Sequence, residues 1–426
     1  MERKITFEEL RKHNTVHSCW VLIFNKVYDV TTYIKSEHPG LSFPLIASGN
    51  DATAIFLTTH PLYVHKMLES KTFQEKYCIG EIENNQPHYN YNDPFLHACV
   101  KDVDTYMKTR NTRVDKLYIH FDICLWILYS CICMYIYSFH KTWYTTLMLS
   151  FGSIITSFRG IHFIDHGMVT CNYYLLLFYR FILNICASLG TVVWIYEHSF
   201  EHHTYTMLEE DPDVPKHSLL RYVKSQKHSC IHKYQHIYTL ILYVVASIPL
   251  EINNTINTFF NYRVVPQTTY IVCCLAKCIR QIIFYKIGLY NYDNLHYLFM
   301  MYAFGTMYYT NIIAPNHMFD DVLENPVHDN HDYFGKHQVE HACNNSLSNS
   351  LSSSLVTYFT GGLNAQIEHH LFTKIYPFHD SLLEISKIVK KYCKIYNVKY
   401  RQVDSLWLAR KMHYNYLQKL GKNKMT

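Results

Sequence analysis

The sequence predicts two parts of different fold class, a small α+β domain followed by an all-α integral membrane domain. A chain of 426 residues is long for one compact domain. Its composition changes near residue 95, from mixed and polar to long apolar runs that approach the length of a bilayer crossing. Histidines gather beside several of those runs. We therefore expect a first domain over 1–82, a linker over 83–94 and a membrane domain over 95–426.

Composition excludes some partners. The formal charge is +5 and the sequence has no long Lys/Arg block, so it does not support a nucleic-acid partner. The 14 cysteines are scattered through apolar runs without paired spacing, which is typical of reduced packing residues. The N-terminal residues include no apolar signal segment, so we expect no cleaved signal peptide and a cytosolic N-terminus.

The first 82 residues carry short β-like runs at 20–24 and 27–30 and then helical stretches, which predicts an α+β unit. The Asn- and Pro-rich residues 83–94 are typical of a linker. Two histidines in this unit, His38 and His60, could be axial ligands of a haem, with glycines relaxing the backbone around it. His65 is an alternative second ligand.

The full set of spaced residues is more specific than the histidine pair. It comprises Trp20, Val27-Tyr28-Asp29-Val30, His38-Pro39-Gly40, Gly49-Asn50-Asp51, Phe56 and His60. Over about 75 residues it resembles the cytochrome b5 domain of fused desaturases. The resemblance implies one haem b with His38 and His60 as axial ligands. One departure is Leu41, where the family usually has a second Gly after His-Pro-Gly.

The second part contains apolar runs at 117–139 and 143–158, which form a plausible transmembrane hairpin. Further apolar runs lie at 173–194, 234–250, 268–285 and 295–315. The low-complexity stretch 344–355 is rich in Asn and Ser, and we expect it to be mobile and solvent-exposed.

Three histidine clusters stand beside these runs. They are His162-Phe-Ile-Asp-His166, His198-Ser-Phe-Glu-His202-His203 and Gln366-Ile-Glu-His369-His370. Helical residues four apart share a face, so each cluster can direct several imidazoles at one point, and imidazole suits iron. Two further sets have similar spacing, but neither follows a membrane hairpin or ends in an adjacent pair. We expect these to be solvent-exposed: His228, His232 and His236, and His337 and His341.

The three clusters resemble the histidine boxes of membrane fatty acid desaturases in order, spacing and surroundings. The flanking matches are Trp194, Asp211-Pro212-Asp213 and Gly361-Gly362-Leu363-Asn364. Gln366 in place of the first His of the third box, together with the N-terminal haem domain, resembles the front-end class. The resemblance implies two irons, with His317 as an additional candidate after the last span. The implied ligands are His162, His166, His198, His202, His203, His317, Gln366, His369 and His370.

One metal centre must collect all three boxes, so an even number of crossings must separate them. The run 173–194, which contains Arg180, should then lie along the interface. Of the three later runs two should cross, and 295–315 is favoured because His317 then emerges beside the metals. The sequence leaves 234–250 and 268–285 open. We expect about four transmembrane helices, interfacial helices and a cytosolic helical cap, in the endoplasmic reticulum membrane with both termini and the active site facing the cytosol.

The resemblance implies O2-dependent desaturation of a polyunsaturated acyl chain, carried as acyl-lipid or acyl-CoA, on the carboxyl side of an existing double bond (delta-4, delta-5 or delta-6 type). It also implies electrons from an NADH-dependent cytochrome b5 reductase. A sphingolipid long-chain-base desaturase with the same fused domain is an alternative. A non-catalytic b5 electron carrier or scaffold is a remote alternative, and histidine boxes with missing residues would indicate it.

Overall fold

The computed structural model describes residues 3–40, 43–85, 87–214, 219–260, 265–319 and 332–422. Leu41, the departure noted above, lies outside the described residues. The two expected fold classes are both present, an N-terminal α+β unit and a mostly helical remainder.

The N-terminal unit is built on five strands, which are β1 (Lys4–Ile5), β2 (Asn14–Thr15), β3 (Ser18–Ile23), β4 (Lys26–Asp29) and β5 (Cys78–Ile82). They form one sheet in the order β1-β5-β4-β3-β2. The two predicted β-like runs lie in β3 and β4, which pair antiparallel, and β5 pairs with β4 and, in parallel, with β1. The helices are α1 (Phe7–Lys12), α2 (Tyr33–Ser36), α3 (Thr53–Thr59), α4 (Leu62–Glu69) and α5 (Lys71–Tyr77).

The linker leads into α6 (Pro94–Met107), whose first turn is capped by Asp93 through the backbone N–H of Leu96. Proline at the first helical position suits this start, because its missing N–H would have no intrahelical partner there. The second carboxylate oxygen of Asp93 accepts from the N–H of Gly335, 2.7 Å away. This capping residue therefore also ties the linker to the C-terminal part of the chain.

Three helices in the described residues are long and apolar enough to cross a membrane. They are α7 (Thr112–Phe139), the continuous helix Trp143–Asp165 and α15 (Gln267–Lys286). The second consists of α8 (Trp143–Thr156), a π-helical turn (Ser157–Ile161) and α9 (His162–Asp165). The predicted hairpin is thus a pair of candidate spans in length and composition.

The run 173–194 is not one straight helix. It breaks between α10 (Tyr173–Cys186) and α11 (Thr191–Tyr196), and the chain bends by 115° there. A π-helical turn (Glu197–His202) and α12 (His203–Tyr205) follow α11. A sharply bent pair is a broken span or a re-entrant segment, which is compatible with the interfacial placement predicted for it.

The later runs differ in straightness. The run 234–250 is split into α13 (Gln235–Val245) and α14 (Ser247–Phe260), with a 53° bend, whereas α15 is one helix of 20 residues. Helix α16 (Leu295–His317) has 23 residues and is long enough to cross, but it is not one of the three helices that are both long and apolar enough. Its predicted crossing therefore still rests on the position of His317 at its end, and the helix packs against α8.

Charged residues inside the apolar runs are buried against partners in the protein. Arg159 pairs with Asp122 at 2.6 Å, Arg180 with Asp165 at 3.4 Å, and Lys277 with Glu251 at 3.0 Å. A charge in an apolar setting is costly unless it is paired. In α15, Lys277 is paired with Glu251 and Arg280 donates to the backbone oxygens of Ile185 and Ala187, so this helix can be apolar enough to span and still contain a lysine and an arginine.

The C-terminal part forms a helical cap. It comprises α17 (Phe334–Glu340), α18 (Leu351–Phe359), α19 (Gln366–Leu371), α20 (His379–Ile395) and α21 (Leu406–Lys422), with β6 (Asn344–Asn345) paired to β7 (Gln402–Val403). The expectation that 344–355 is exposed is wrong for residues 344–347 and for Ser353, which are buried, whereas residues 348–352 and Leu355 are exposed as expected. Asn344 and Asn345 are fully buried, and Ser350 caps α18. Their amides bond to neighbouring chain segments, which composition alone does not reveal.

Candidate metal centre

The first two histidine boxes lie at π-helical turns. His162 directly follows the turn Ser157–Ile161, and the second box occupies the turn Glu197–His202. Such turns are frequent at functional sites because they re-aim side chains within a helix. The third box forms α19, where His369 and His370 are adjacent. All nine predicted metal-site residues are buried.

The imidazoles form two groups. In the first, the nitrogens of His162, His166, His198 and His369 all lie within 4.8 Å of one another, and in the second those of His202, His317 and His370 do so. His203 lies between the groups, with its ring centre 4.7 Å from that of His369 and 4.4 Å from that of His370. Two neighbouring donor groups are the arrangement that two metal ions require.

Several of these nitrogens have no hydrogen-bond partner although they are buried. They are Nδ1 of His162, Nε2 of His166, Nε2 of His198 and both ring nitrogens of His203. Buried polar atoms are rarely left unpaired, because desolvation then costs free energy. Burial, and then the neighbouring His370, hold the pKa of His203 well below its usual range. Neutral, unpaired imidazoles are the form that binds a cation, so the residues present fit metal ions.

His317 belongs to the second group. Its Nδ1 donates to the backbone oxygen of His341 at 2.8 Å, which leaves Nε2 directed towards the group. Gln366 is also present, but its amide nitrogen lies 2.9 Å from Nε2 of His317 and 3.0 Å from Nε2 of His370. Its oxygen accepts from Asn316 at 3.1 Å. A role as oxygen donor to a metal therefore requires the amide to turn over.

Two residues that orient the imidazoles had no predicted role. Asp211 accepts from Nδ1 of His202 at 3.1 Å, and Gln338 accepts from Nδ1 of His370 at 2.7 Å. Burial lowers the pKa of His202, but the carboxylates of Asp211 and Asp213 outweigh it and raise the value to about 9. Such partners hold the tautomer and orientation of a ligand. In the sequence, Asp211 is marked by the Asp-Pro-Asp motif. The only sequence feature near Gln338 is the histidine pair His337 and His341.

The two further histidine sets were expected to be solvent-exposed. This is wrong for three of their five residues, since His232, His337 and His341 are buried. His337 Nε2 bonds to the backbone oxygen of Thr206 at 2.8 Å, and the backbone N–H of Ser229 donates to His232 Nδ1 at 3.0 Å. The spacing of histidines within a helix does not show whether another segment of the chain packs against that helix and buries them. Helix α17 instead lies against the second and third boxes.

The N-terminal unit contains an apolar pocket lined by His38 and His60. Their ring centres lie 6.1 Å apart. Two metal–nitrogen bonds of roughly 2 Å, plus the short distance from each nitrogen to its ring centre, require about this separation. Nδ1 of His60 bonds to the oxygen of Phe56 at 3.1 Å, which leaves Nε2 for the pocket. A Cβ on Gly40 would stand 2.7 Å from the His38 ring, so the absence of a side chain at Gly40 lets this ring lie close to the backbone.

These residues fit an axially ligated haem. His65, the alternative ligand, packs against Phe56 with ring centres 5.1 Å apart but is not part of the pocket lining. The pocket is otherwise built from aliphatic and aromatic side chains, which suits a flat apolar macrocycle.

A second cavity of about 400 Å³ opens beside the first histidine group. The size falls in the range of roughly 300–1,000 Å³ that is common for small-molecule sites. Trp194 lines it and stacks on His198, with ring centres 4.2 Å apart. Helices α11, α14 and α16 form its walls, through residues that include Leu250, Tyr302 and Tyr309. Three acidic residues also line the cavity: Glu197, Asp213 and Glu251. A molecule bound in this cavity would lie next to the first imidazole group.

Comparison with known proteins agrees with both sites. Residues 6–83 match the cytochrome b5-like heme/steroid binding domain, and residues 138–404 match the fatty acid desaturase family. The chain is 25% identical to an acyl-lipid (8-3)-desaturase of Physcomitrium patens, covering 98% of this chain and 92% of the relative. It is 24% identical to delta(5) fatty acid desaturase A of Dictyostelium discoideum, over 98% and 94% of the two chains.

A delta(8)-fatty-acid desaturase of Borago officinalis is 25% identical over 94% of this chain and 90% of its own. The matches run through both domains rather than through one of them. The desaturase family covers most of the chain, and its match spans all three histidine boxes. The chain therefore belongs to the fatty acid desaturase family, as a membrane protein of the front-end branch with a cytochrome b5 domain fused to its N-terminus.

Proposed function

We propose that this protein introduces a double bond into a polyunsaturated fatty-acyl chain, using O2 and a pair of iron ions. The observation that carries the proposal is the pair of adjacent, buried imidazole groups with unpaired nitrogens. The proposed iron-binding residues are His162, His166, His198, His202, His203, His317, His369 and His370, with Gln366 as an oxygen donor after its amide turns over.

The reaction removes one hydrogen from each of two adjacent methylene carbons and leaves a carbon–carbon double bond. Two electrons and two protons accompany O2, so that the four hydrogens and two oxygens leave as two water molecules. Bound iron supplies the O2 activation that ordinary acid–base side chains cannot provide for an unactivated C–H bond. The chain's own residues position the acyl chain and exclude water.

The cavity beside Trp194 positions the substrate. C–H bonds along an acyl chain differ little in strength, so the carbon that reacts is set by where the chain is held. The indole of Trp194 packs on His198 and forms part of the cavity wall, which places that wall next to the first imidazole group. We propose that the cavity binds the acyl chain of an acyl-lipid or acyl-CoA and positions a bond on the carboxyl side of an existing double bond. The activities for which the relatives are named, delta(5), delta(8) and (8-3), support this class without choosing a position within it.

Electrons reach the metals through the N-terminal unit. We propose that His38 and His60 hold one haem b and that an NADH-dependent cytochrome b5 reductase reduces it. The proposed units remain 1–82 for the haem domain, 83–94 for the linker and 95–426 for the desaturase domain. The endoplasmic reticulum membrane, with both termini and all boxes on the cytosolic side, is the placement that lets a cytosolic donor reach this centre.

The test is expression of the full chain in yeast fed a panel of polyunsaturated acids, with product double bonds located by mass spectrometry. New double bonds on the carboxyl side of an existing one are expected. His370→Ala should abolish them while the protein still accumulates, because it removes one of the three imidazoles of the second group. His232→Ala is the control, since His232 is a buried histidine that caps a turn away from the metals.

The alternatives give different products. New sphingoid double bonds would identify a long-chain-base desaturase, and hydroxylated lipid would identify a hydroxylase. An unchanged lipid profile from a chain that is folded and loaded with iron and haem would contradict the proposal and favour an electron carrier or scaffold.

A further inference from the structure

The haem pocket is not closed by the N-terminal unit alone. Part of its wall comes from the desaturase domain, in the turn after the first box and in the segment after the third. The contributing residues are His166, Gly167, Thr170, Cys171 and Lys374. His166 is also a member of the first imidazole group. The side chain of His166 therefore separates the haem pocket from the first imidazole group.

Close contacts hold the two domains together at this wall. A Cβ on Gly167 would stand 3.4 Å from the ring of Phe43, which lines the pocket from the N-terminal side. The guanidinium carbon of Arg180 lies 5.8 Å from the centre of the same ring. Thr373 Oγ1 donates to the backbone oxygen of Thr58 at 3.4 Å, next to His60. The pocket is thus assembled at a packed interface.

Lys374 is out of place in a purely apolar pocket. No lining residue that the structure describes is acidic, and within the described ranges Lys374 has no ion pair. Its side chain is exposed, so Lys374 lies at the solvent-facing edge of the pocket. A cation at the mouth of an apolar pocket favours an anionic group on the ligand.

We propose that the desaturase domain completes the haem site and that Lys374 binds a carboxylate of the haem. The haem carries an apolar macrocycle and two carboxylates, so the apolar lining and the single ammonium match its two kinds of surface. The inference rests on the haem ligation proposed above. It goes beyond that ligation because residues of both domains would form the site. The desaturase domain would then hold the haem next to His166.

The experiment compares full-length, haem-loaded variants. Lys374→Met removes the charge and keeps the length of the side chain, Lys374→Arg keeps the charge, and Lys387→Met removes a charge from an exposed pair with Glu384 elsewhere on the same domain. Haem transfer to an excess of an acceptor protein gives the dissociation rate, and spectroelectrochemistry gives the midpoint potential.

Lys374→Met should lose haem about tenfold faster, which corresponds to one charge-assisted contact. Its midpoint potential should fall, because a nearby cation favours the reduced haem, which carries one positive charge fewer. Lys374→Arg should restore both values, and Lys387→Met should match the native chain. If Lys374→Met keeps the native dissociation rate and potential, the inference is wrong, while the desaturase function stands on its own product assay.

A second measurement needs no variant. Cys171 is exposed at the desaturase side of the pocket, so its alkylation rate, followed by peptide mass spectrometry, should fall several-fold when haem is bound. Equal rates in the haem-loaded and haem-free chain would overturn the composite site. A native chain without a low-spin haem spectrum would overturn the ligation by His38 and His60, and the composite site with it.

Discussion

Gln338 provides the sharpest test of how the second imidazole group is held. It is fully buried, its Oε1 accepts from His370 Nδ1 at 2.7 Å and from Thr206 Oγ1 at 2.9 Å, and its Nε2 donates to the His203 oxygen at 3.3 Å. Gln338→Met keeps the shape and removes all three bonds. Each bond contributes about 1 kcal/mol net, so the free energy of unfolding should fall by about 2–3 kcal/mol.

Only one of the three bonds reaches a metal-facing imidazole, His370. Losing the partner that orients a ligand usually costs about 10–100-fold in metal affinity, and a single bond places Gln338→Met near the tenfold end. The measurement is iron per folded protein, after dialysis against graded chelator. Gln338→Glu keeps the acceptor and should retain iron close to the native level.

Gln235 is a matched control. It is also fully buried, and it makes three hydrogen bonds to the backbone of Arg221 and Leu417, away from the imidazoles. Gln235→Met should lower stability by a similar amount and leave the iron affinity unchanged. The reasoning is refuted if Gln338→Met binds iron as tightly as the native chain, or if both variants lose iron equally.

Three further predictions address the ligand set, the buried charges and the topology. Gln366→His supplies the commoner neutral donor, so iron should stay bound and product yield should fall only in part; loss of iron would mean that the site has no room for a further imidazole. Asp122→Asn leaves Arg159 without its buried counter-charge and should cost about 3–5 kcal/mol, measured as a lower Tm of the solubilised protein. Glycosylation tags near positions 85, 225 and 420 should all stay unmodified; a modified tag at 225 would mean that 173–205 crosses the membrane.

The two candidate ligand sets could be proposed from the sequence because each motif is local and resembles the motif of a known family. His162 and His166 are one helical turn apart, as are His198 and His202, and these spacings aim imidazoles in one direction whatever surrounds them. The same holds for the spaced residues around His38 and His60, which share one small domain. Apolar runs also predicted the helices, because bilayer length constrains a segment before it meets any neighbour.

The tertiary structure alone decided how those residues are grouped. His369 joins the first imidazole group and His370 the second, although they are adjacent in the chain. Helix α17, expected to be exposed, buries its histidines and places Gln338 against His370. The haem pocket takes Lys374 from a segment more than three hundred residues further along the chain. Such contacts depend on the packing of distant elements, which no local periodicity encodes.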